Sequence, residues 1–197
     1  MSFLRVLIVL LLLAVPAFAQ EPETRTALFA GGNFWSLQYA FDRTPGITNT
    51  VTGYTGGRIA NPGYKQVADG SSGHRMGLLV TYDPARISYA QLLDVFWHNI
   101  DPMDGAGQFC DRGMPYTSVI YFDTPDQLQI AADSKMLLEA DAESMGGQAI
   151  TTVILKAQAF YPAESYHQQY YRRNPLRFRY WERTCGRAQR LHAVWGR

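Results

Sequence analysis

Beyond its first twenty residues the sequence has no long hydrophobic run, so it predicts no membrane-spanning helix in the body of the protein. Excess charge is also missing. The 18 Lys and Arg against 17 Asp and Glu give a net charge of +1, which offers no general basis for binding nucleic acid. The four His residues form no i, i+4 pair and no Cys/His cluster, so we expect no metal site. What is present, 47% hydrophobic residues, suits a globular core.

The N-terminal stretch MSFLRVLIVLLLLAVPAFAQ has the pattern of a secretory signal peptide. It places Arg5 before an apolar run that ends at Val15, and the small-x-small sequence Ala17-Phe18-Ala19 follows. An uncleaved membrane anchor is the alternative, but the run is short for a membrane span. We therefore predict cleavage of residues 1–19, secretion across the inner membrane and a periplasmic location. In an oxidising compartment, two thiols tend to form a disulfide.

The remaining chain predicts a single mixed domain. Strands and helices follow one another without regular βαβ alternation, which favours the α+β class. The domain is assigned to residues 20–175, and an Arg-rich, aromatic tail carrying Cys185 to residues 176–197. We expect a monomer whose tail packs on the body through its aromatics; contact with anionic lipid is the alternative. The predicted strands are 24–30, 47–54, 77–82, 117–122 and 150–157, and the predicted helices are 36–41, 64–68, 88–100, 125–142 and 162–174.

Eight motifs together resemble the MsrA family, the peptide-methionine (S)-S-oxide reductases, over residues 27–175. They are GGNFW (31–35), GYTGG (53–57), NPGYKQV (61–67), SGH (72–74), YDPARISYAQLLDVFW (82–97), DP (101–102), CDRGMPY (110–116) and FYPAESYHQQYY (160–171). The resemblance implies a two-layer α+β sandwich with a mixed β-sheet and flanking helices. It also implies a pocket for methionine-S-sulfoxide, in peptides or free, and recycling by a thioredoxin-like thiol reductant rather than by a bound cofactor.

The resemblance assigns a role to each matched position. A Cys at position 33 attacks the sulfoxide sulfur, and a thiol at a helix N-terminus gains thiolate character. A Glu at position 76 protonates the departing oxygen. The substrate oxygen and the substrate body are held by the remaining site residues. Those matched to the oxygen are Tyr54, Asp111 and Tyr116, and those matched to the pocket are Phe34, Trp35 and His74.

Two of these central roles are vacant in this sequence. Asn33 occupies the nucleophile position and Met76 the acid position. A carboxamide forms no thiolate and a thioether donates no proton, although Asn is a good helix N-cap. Thr117 stands where Arg is usual. We interpret the chain as a divergent, secreted member that keeps the pocket and lacks ordinary reductase catalysis, so a thiol reductant is needed only if activity persists.

Two other hypotheses remain open from the residues alone. Cys110 follows Phe109 in the site loop and, with Cys185, forms either a structural disulfide or a thiol pair that carries a residual reductase activity. We favour the disulfide because of the predicted compartment. The other hypothesis is a structural role in which Met76 and Met114 fill the pocket, so that Phe34 and Trp35 are plain core residues.

Overall fold

A computed structural model describes residues 23–141 and 147–196, and the predicted signal peptide therefore lies outside the described residues, as do residues 20–22 of the predicted domain. The strands are β1 (Arg25–Ala30), β2 (Ile47–Thr55), β3 (Arg75–Tyr82), β4 (Gly107–Gln108), β5 (Asp111–Arg112), β6 (Val119–Phe122), β7 (Val153–Lys156) and β8 (Phe160–Pro162). The helices are α1 (Phe34–Phe41), α2 (Tyr64–Ala68), α3 (Tyr89–Trp97), α4 (Pro125–Ala140), α5 (Tyr170–Arg173), α6 (Pro175–Thr184) and α7 (Arg187–Trp195). None of the described helices is both long and apolar enough to cross a membrane.

Six strands form one mixed sheet in the order β7-β6-β1-β3-β2-β8. Strands β6 and β7 are parallel, whereas β1, β2 and β3 pair in antiparallel fashion and β8 joins the outer edge of β2. Strands β4 and β5 form a separate two-stranded hairpin in the loop between α3 and β6. The arrangement confirms the predicted α+β class and the mixed sheet.

Alternating side chains of β1, near the centre of the sheet, cover both of its faces. On one face Phe29 packs at ring-centroid distances of 5.3 Å from Phe41 of α1 and 5.0 Å from Phe96 of α3. On the other face Leu28 and Ala30 join a smaller buried cluster with β6. Burial on both faces explains why the strand TRTALFA reads as a nearly continuous apolar run and holds the centre of the sheet.

The helix starts follow capping signals in the sequence. The Ser88 hydroxyl accepts from the Gln91 N–H at 3.2 Å while the Gln91 side chain accepts from the Ser88 N–H at 2.9 Å, which is a complete capping box before α3. Before α4, the Thr124 hydroxyl accepts from the Gln127 N–H at 3.2 Å without the reciprocal bond, and Pro125 lies in the first turn. These local signals are the reason why α3 and α4 begin where the sequence predicts.

The prediction of one helix over residues 162–174 is wrong. The segment contains β8, a 3-10 turn at Ser165–His167 and the short helix α5, with Gln169 in the left-handed region at φ 51°. The break has a tertiary cause. The Gln168 carboxamide accepts from the Thr52 N–H at 3.0 Å and donates to the Thr52 carbonyl at 2.9 Å, so it extends the hydrogen bonding of β2. Helical periodicity carries no information about such a contact.

The C-terminal tail forms two helices, α6 and α7, which the sequence did not predict. As expected, its aromatics and Arg residues hold it on the body. The Trp195 indole donates to the Ile100 carbonyl at 3.1 Å, and the Arg187 guanidinium donates to the Asn99 carbonyl at 2.7 Å. Phe178 is also buried. The tail is therefore an integral part of the fold rather than a separate strap.

Candidate active site

The N-terminus of α1 forms the centre of the site. The chain leaves β1 through Gly31 and Gly32, where a side chain has no space: a Cβ at Gly32 would lie 2.7 Å from the Gln108 Cβ, and φ is +80°. Asn33 then caps the helix, because its Oδ1 accepts from the Trp35 N–H at 3.0 Å. The Asn33 side chain is only 6% exposed, and its amide nitrogen has no hydrogen-bond partner within residues 23–141 and 147–196.

Five rings form an aromatic cluster beside this cap: Phe34, Trp35, Tyr54, Tyr64 and Tyr116. Phe34 and Tyr54 are fully buried, with ring centroids 5.9 Å apart, while the other three rings are half-buried and form the outer part. Met76 pairs with Tyr54 across β2 and β3 and lies fully buried in the same cluster. The cluster is thus a partly open apolar surface over a buried floor.

The Trp35 ring is fixed by partners from the C-terminal part of the chain. Its indole N–H donates to His167 Nδ1 at 3.2 Å, and its face stacks on Tyr170 at 3.9 Å with an interplanar angle of 10°. Trp181 of α6 contacts it edge-on at 6.0 Å. Burial lowers the pKa of His167, so the imidazole is neutral and can accept this hydrogen bond. Sequence reasoning missed the roles of Tyr170 and Trp181.

A carboxylate that sequence reasoning missed lies at the polar edge of the aromatic cluster. Glu164 accepts from the Tyr54 hydroxyl at 2.7 Å and from the Tyr64 N–H at 2.9 Å. Burial alone would raise the pKa of Glu164, but these two donors keep it below its usual value. Burial and the Glu164 carboxylate both raise the pKa of Tyr54, so its hydroxyl proton stays on the phenol and points to Glu164. The only available signal was the position of Glu164 within FYPAESYHQQYY.

A second carboxylate, Asp111, approaches the cluster from the hairpin β4–β5. Burial, followed by the negative charge of Glu182, raises the pKa of Asp111 to about 6. Glu182 belongs to α6 and accepts from the Ser36 hydroxyl in the first turn of α1. Burial also raises the pKa of Tyr116, and the neighbouring Tyr64 and Asp111 raise it further. Asp111 is therefore largely protonated only below about pH 6, whereas Glu164 at the polar edge stays ionised there.

A disulfide joins the site loop to the tail. Cys110 and Cys185 are bonded with their Cα atoms 4.9 Å apart, which confirms the predicted pairing. Cys110 is exposed and immediately precedes Asp111. Because both cysteines are in this bond, no free thiol is present in the described part of the chain.

Comparison with known proteins agrees with this geometry. A sequence model of the family described as peptide methionine sulfoxide reductase matches residues 25–197. The MsrA of Limosilactobacillus reuteri is 45% identical over 170 residues, covering 86% of this chain and 96% of that protein. MsrA 2 of Rhizobium meliloti is 44% identical over 184 residues, covering 93% and 89%. Methionine sulfoxide reductase A of Corynebacterium diphtheriae superposes with a TM-score of 0.74 at 32% identity, covering 80% of this chain and 78% of that one.

The chain belongs to the MsrA family. The match includes α6 and α7, so the tail lies within the family's sequence pattern. The Thr117 hydroxyl accepts from Arg75 Nε at 2.8 Å. The guanidinium of Arg75, on β3, therefore lies next to residue 117.

The structure separates His74 and Met114 from the aromatic cluster. His74 Nδ1 accepts from the Gly57 N–H at 3.1 Å, and its Nε2 contacts the Ile59 carbonyl at 2.8 Å, so both ring nitrogens hold the loop after β2. A direct role of His74 in the MsrA pocket stays a prediction. Met114 is 36% exposed and is not among the buried side chains of the cluster, whereas Met76 is.

No three His, Cys, Asp or Glu side chains of residues 23–141 and 147–196 converge to hold a metal ion. Two clefts of about 490 Å³ each lie away from the aromatic cluster, one between α3, α4 and α7 and the other beside the start of β1. The chemistry available at the cluster is therefore that of aromatic faces, phenol hydroxyls, carboxylates and the Asn33 carboxamide.

Proposed function

We propose that this MsrA-family chain binds methionine-S-sulfoxide side chains, in peptides or free, and lacks reductase chemistry at position 33. The observation that carries the proposal is the capped, thiol-free start of α1, where Asn33 Oδ1 is bonded to the Trp35 N–H beside an assembled aromatic cluster. A site with apolar walls and a few polar groups binds a ligand whether or not the reacting groups are present.

The ligand is held by groups at the outer part of the cluster. The accessible part of the Trp35 ring covers the methyl and sulfur end, with the buried Phe34 ring packed behind it. Tyr116 and Tyr64 provide hydroxyl donors for the sulfoxide oxygen, and Asp111 becomes a further donor when it is protonated. Tyr54 contributes less as a donor because its hydroxyl proton is directed to Glu164.

Reduction requires two steps that these residues do not perform. A thiolate has to attack the sulfur, and the oxygen has to leave as a protonated group. Asn33 forms no thiolate and Met76 donates no proton. Loss of a catalytic nucleophile in a well-studied hydrolase lowers the rate by about a million-fold, and we expect a comparable loss here.

Binding can be tested with one peptide in three oxidation states: methionine-S-sulfoxide, methionine-R-sulfoxide and methionine. Calorimetry is expected to show tighter binding of the S-sulfoxide peptide. Tyr116→Phe is expected to weaken that binding by about threefold to tenfold, the value of one neutral hydrogen bond. Tyr39→Phe is the matched control, because Tyr39 packs on Tyr171 and Phe178 outside the aromatic cluster. Equal affinity for all three peptides would contradict the proposal.

A second candidate, supported by the disulfide beside Asp111, is a reductase that uses Cys110 and Cys185. The balanced reaction joins the two reduced thiols in an S–S bond. Their two electrons reduce the sulfoxide to the thioether, and the oxygen leaves with both protons as water. A thioredoxin-like dithiol then restores the thiols by exchange.

The thiol reaction predicts one methionine formed per protein molecule when the pre-reduced chain meets the S-sulfoxide peptide without added reductant. Activity that disappears in Cys110→Ser would support this reaction. Activity that persists in Cys110→Ser would exclude it.

We also propose that the chain acts as an exported monomer. The support is the signal-like pattern of residues 1–19 in the sequence. Mass spectrometry of the protein from a periplasmic extract is expected to show an N-terminus near residue 20, and the full-length mass would contradict cleavage.

A further inference from the structure

A second binding site is indicated by the cleft between α3, α4 and α7, which we call the three-helix cleft. Its volume is about 490 Å³, within the range of small-molecule sites. It is lined by residues of each helix, among them Asp94 and Trp97 of α3, Asp133 and Leu137 of α4, and Trp195 of α7. None of these residues belongs to the aromatic cluster, so the cleft is independent of the sulfoxide site.

The walls of the three-helix cleft are indole faces and aliphatic side chains. The Trp97 N–H donates to the Ser134 hydroxyl at 2.7 Å and the Trp195 N–H donates to the Ile100 carbonyl, so the polar edges of both indoles are already bonded. What remains for a ligand is the ring surface. Leu137, which is 69% exposed, adds apolar surface at the same place.

The charge of the cleft is mostly negative, with His98 as the one basic side chain among its described lining residues. Asp94, Asp133 and Asp141 line it, and no Lys or Arg is among its described lining residues. Asp94 is paired only with His98, at 3.1 Å, and Asp133 accepts a neutral hydrogen bond from Gln129 at 2.9 Å. Carboxylates around an apolar concavity concentrate cations and repel anions.

We propose that the three-helix cleft binds an organic monocation with a flat apolar body, such as an aromatic amine. The body of the ligand stacks on Trp195 and covers Leu137, while its cationic group faces Asp133 and Asp94. Indole is the aromatic ring that binds cations best, and the carboxylates add to that attraction. A neutral ligand of the same shape would use the walls alone.

The proposal can be tested on the full chain with 9-aminoacridine as a fluorescent cationic probe and acridine, neutral at pH 8, as its isostere. The cation is expected to bind about fivefold to thirtyfold more tightly, from one cation–π contact and two exposed carboxylates. The difference is expected to shrink in 0.5 M NaCl because exposed charges are screened. Equal affinity of the two probes would overturn the proposal.

Variants on α4 locate the probe. Asp133→Asn is expected to weaken binding of the cation by about threefold and to leave acridine unchanged. Glu139→Gln is the control, because Glu139 pairs with Lys135 outside the cleft. Leu137→Ser is expected to weaken both probes, whereas Leu128→Ser, an exposed leucine of the same helix outside the cleft, is not. Loss of binding in Trp35→Ala, or no difference between Asp133→Asn and Glu139→Gln, would overturn the assignment.

Discussion

Replacing Asn33 by Ala is expected to lower the free energy of unfolding by about 1 to 2 kcal/mol. The change removes the side-chain oxygen that accepts from the Trp35 N–H at 3.0 Å. Because Asn33 is only 6% exposed, water replaces that acceptor poorly, which places the loss in the upper part of the range for helix caps. For a chain of this size, each kcal/mol corresponds to a decrease in Tm of about 2 to 4 °C.

Urea unfolding at 25 °C measures this loss as a lower midpoint with an unchanged m-value. Asn33→Ser is the matched control: serine caps helices as well as asparagine does, so its stability should stay within about 0.5 kcal/mol of the native chain. Asn33→Cys should lose about as much stability as Asn33→Ala. If Asn33→Ala is as stable as the native chain, the cap does not stabilise α1 and the structural role of Asn33 is refuted.

Three further predictions concern the surroundings of the site. Gln168→Ala should cost about 2 kcal/mol in urea unfolding, because three hydrogen bonds to backbone groups are lost, whereas Gln129→Ala on exposed α4 should cost less than about 0.5. The pKa of Asp111, raised from 3.8 to about 6, means that its ionised form destabilises the fold. The stability of Asp111→Asn relative to the native chain should therefore rise between about pH 4 and pH 6, and a flat difference would contradict the assignment. Replacing both cysteines by serine opens a link between residues 75 positions apart and should lower the free energy of unfolding by about 2 to 4 kcal/mol, and an unchanged urea midpoint would contradict a stabilising disulfide.

The sequence predicted the elements whose signals are local. Asn33 was readable as a cap, and residues 88 and 125 as helix starts, because these signals depend on side chains close in sequence to their backbone partners. The central strands were readable because burial on one or both faces leaves a pattern along the chain. The motifs that carry the family resemblance also brought Phe34, Trp35 and Tyr54 together, as the structure shows.

What the sequence did not reveal depends on contacts between distant segments. Glu164 meets the Tyr54 hydroxyl across 110 positions, and Trp181 reaches Trp35 only because α6 folds back over α1. Neither contact leaves a periodic pattern or a characteristic spacing in the sequence. The prediction of a helix over residues 162–174 failed for the same reason, because the Gln168 side chain bonds to β2 and the chain does not continue as a helix.

The proposal that Asn33 and Met76 stand at the nucleophile and acid positions determines how an active comparison variant has to be built. Met76→Glu places a carboxyl group among fully buried side chains, which is costly unless the group is protonated or hydrogen-bonded. The variant therefore needs a check of its unfolding midpoint, and Asn33→Cys alone serves as a second, less destabilised test of the nucleophile. Met76→Leu, which conserves volume, controls for repacking.

The most direct test of the account is reduction of a methionine-S-sulfoxide peptide with dithiothreitol, comparing the native chain with the folded Asn33→Cys, Met76→Glu double variant. The account predicts turnover by the double variant and none by the native chain, because the pocket is retained and only the nucleophile and the acid are missing. Turnover by the native chain at a rate similar to that of the double variant would contradict the central claim that this member of the MsrA family lacks ordinary reductase catalysis.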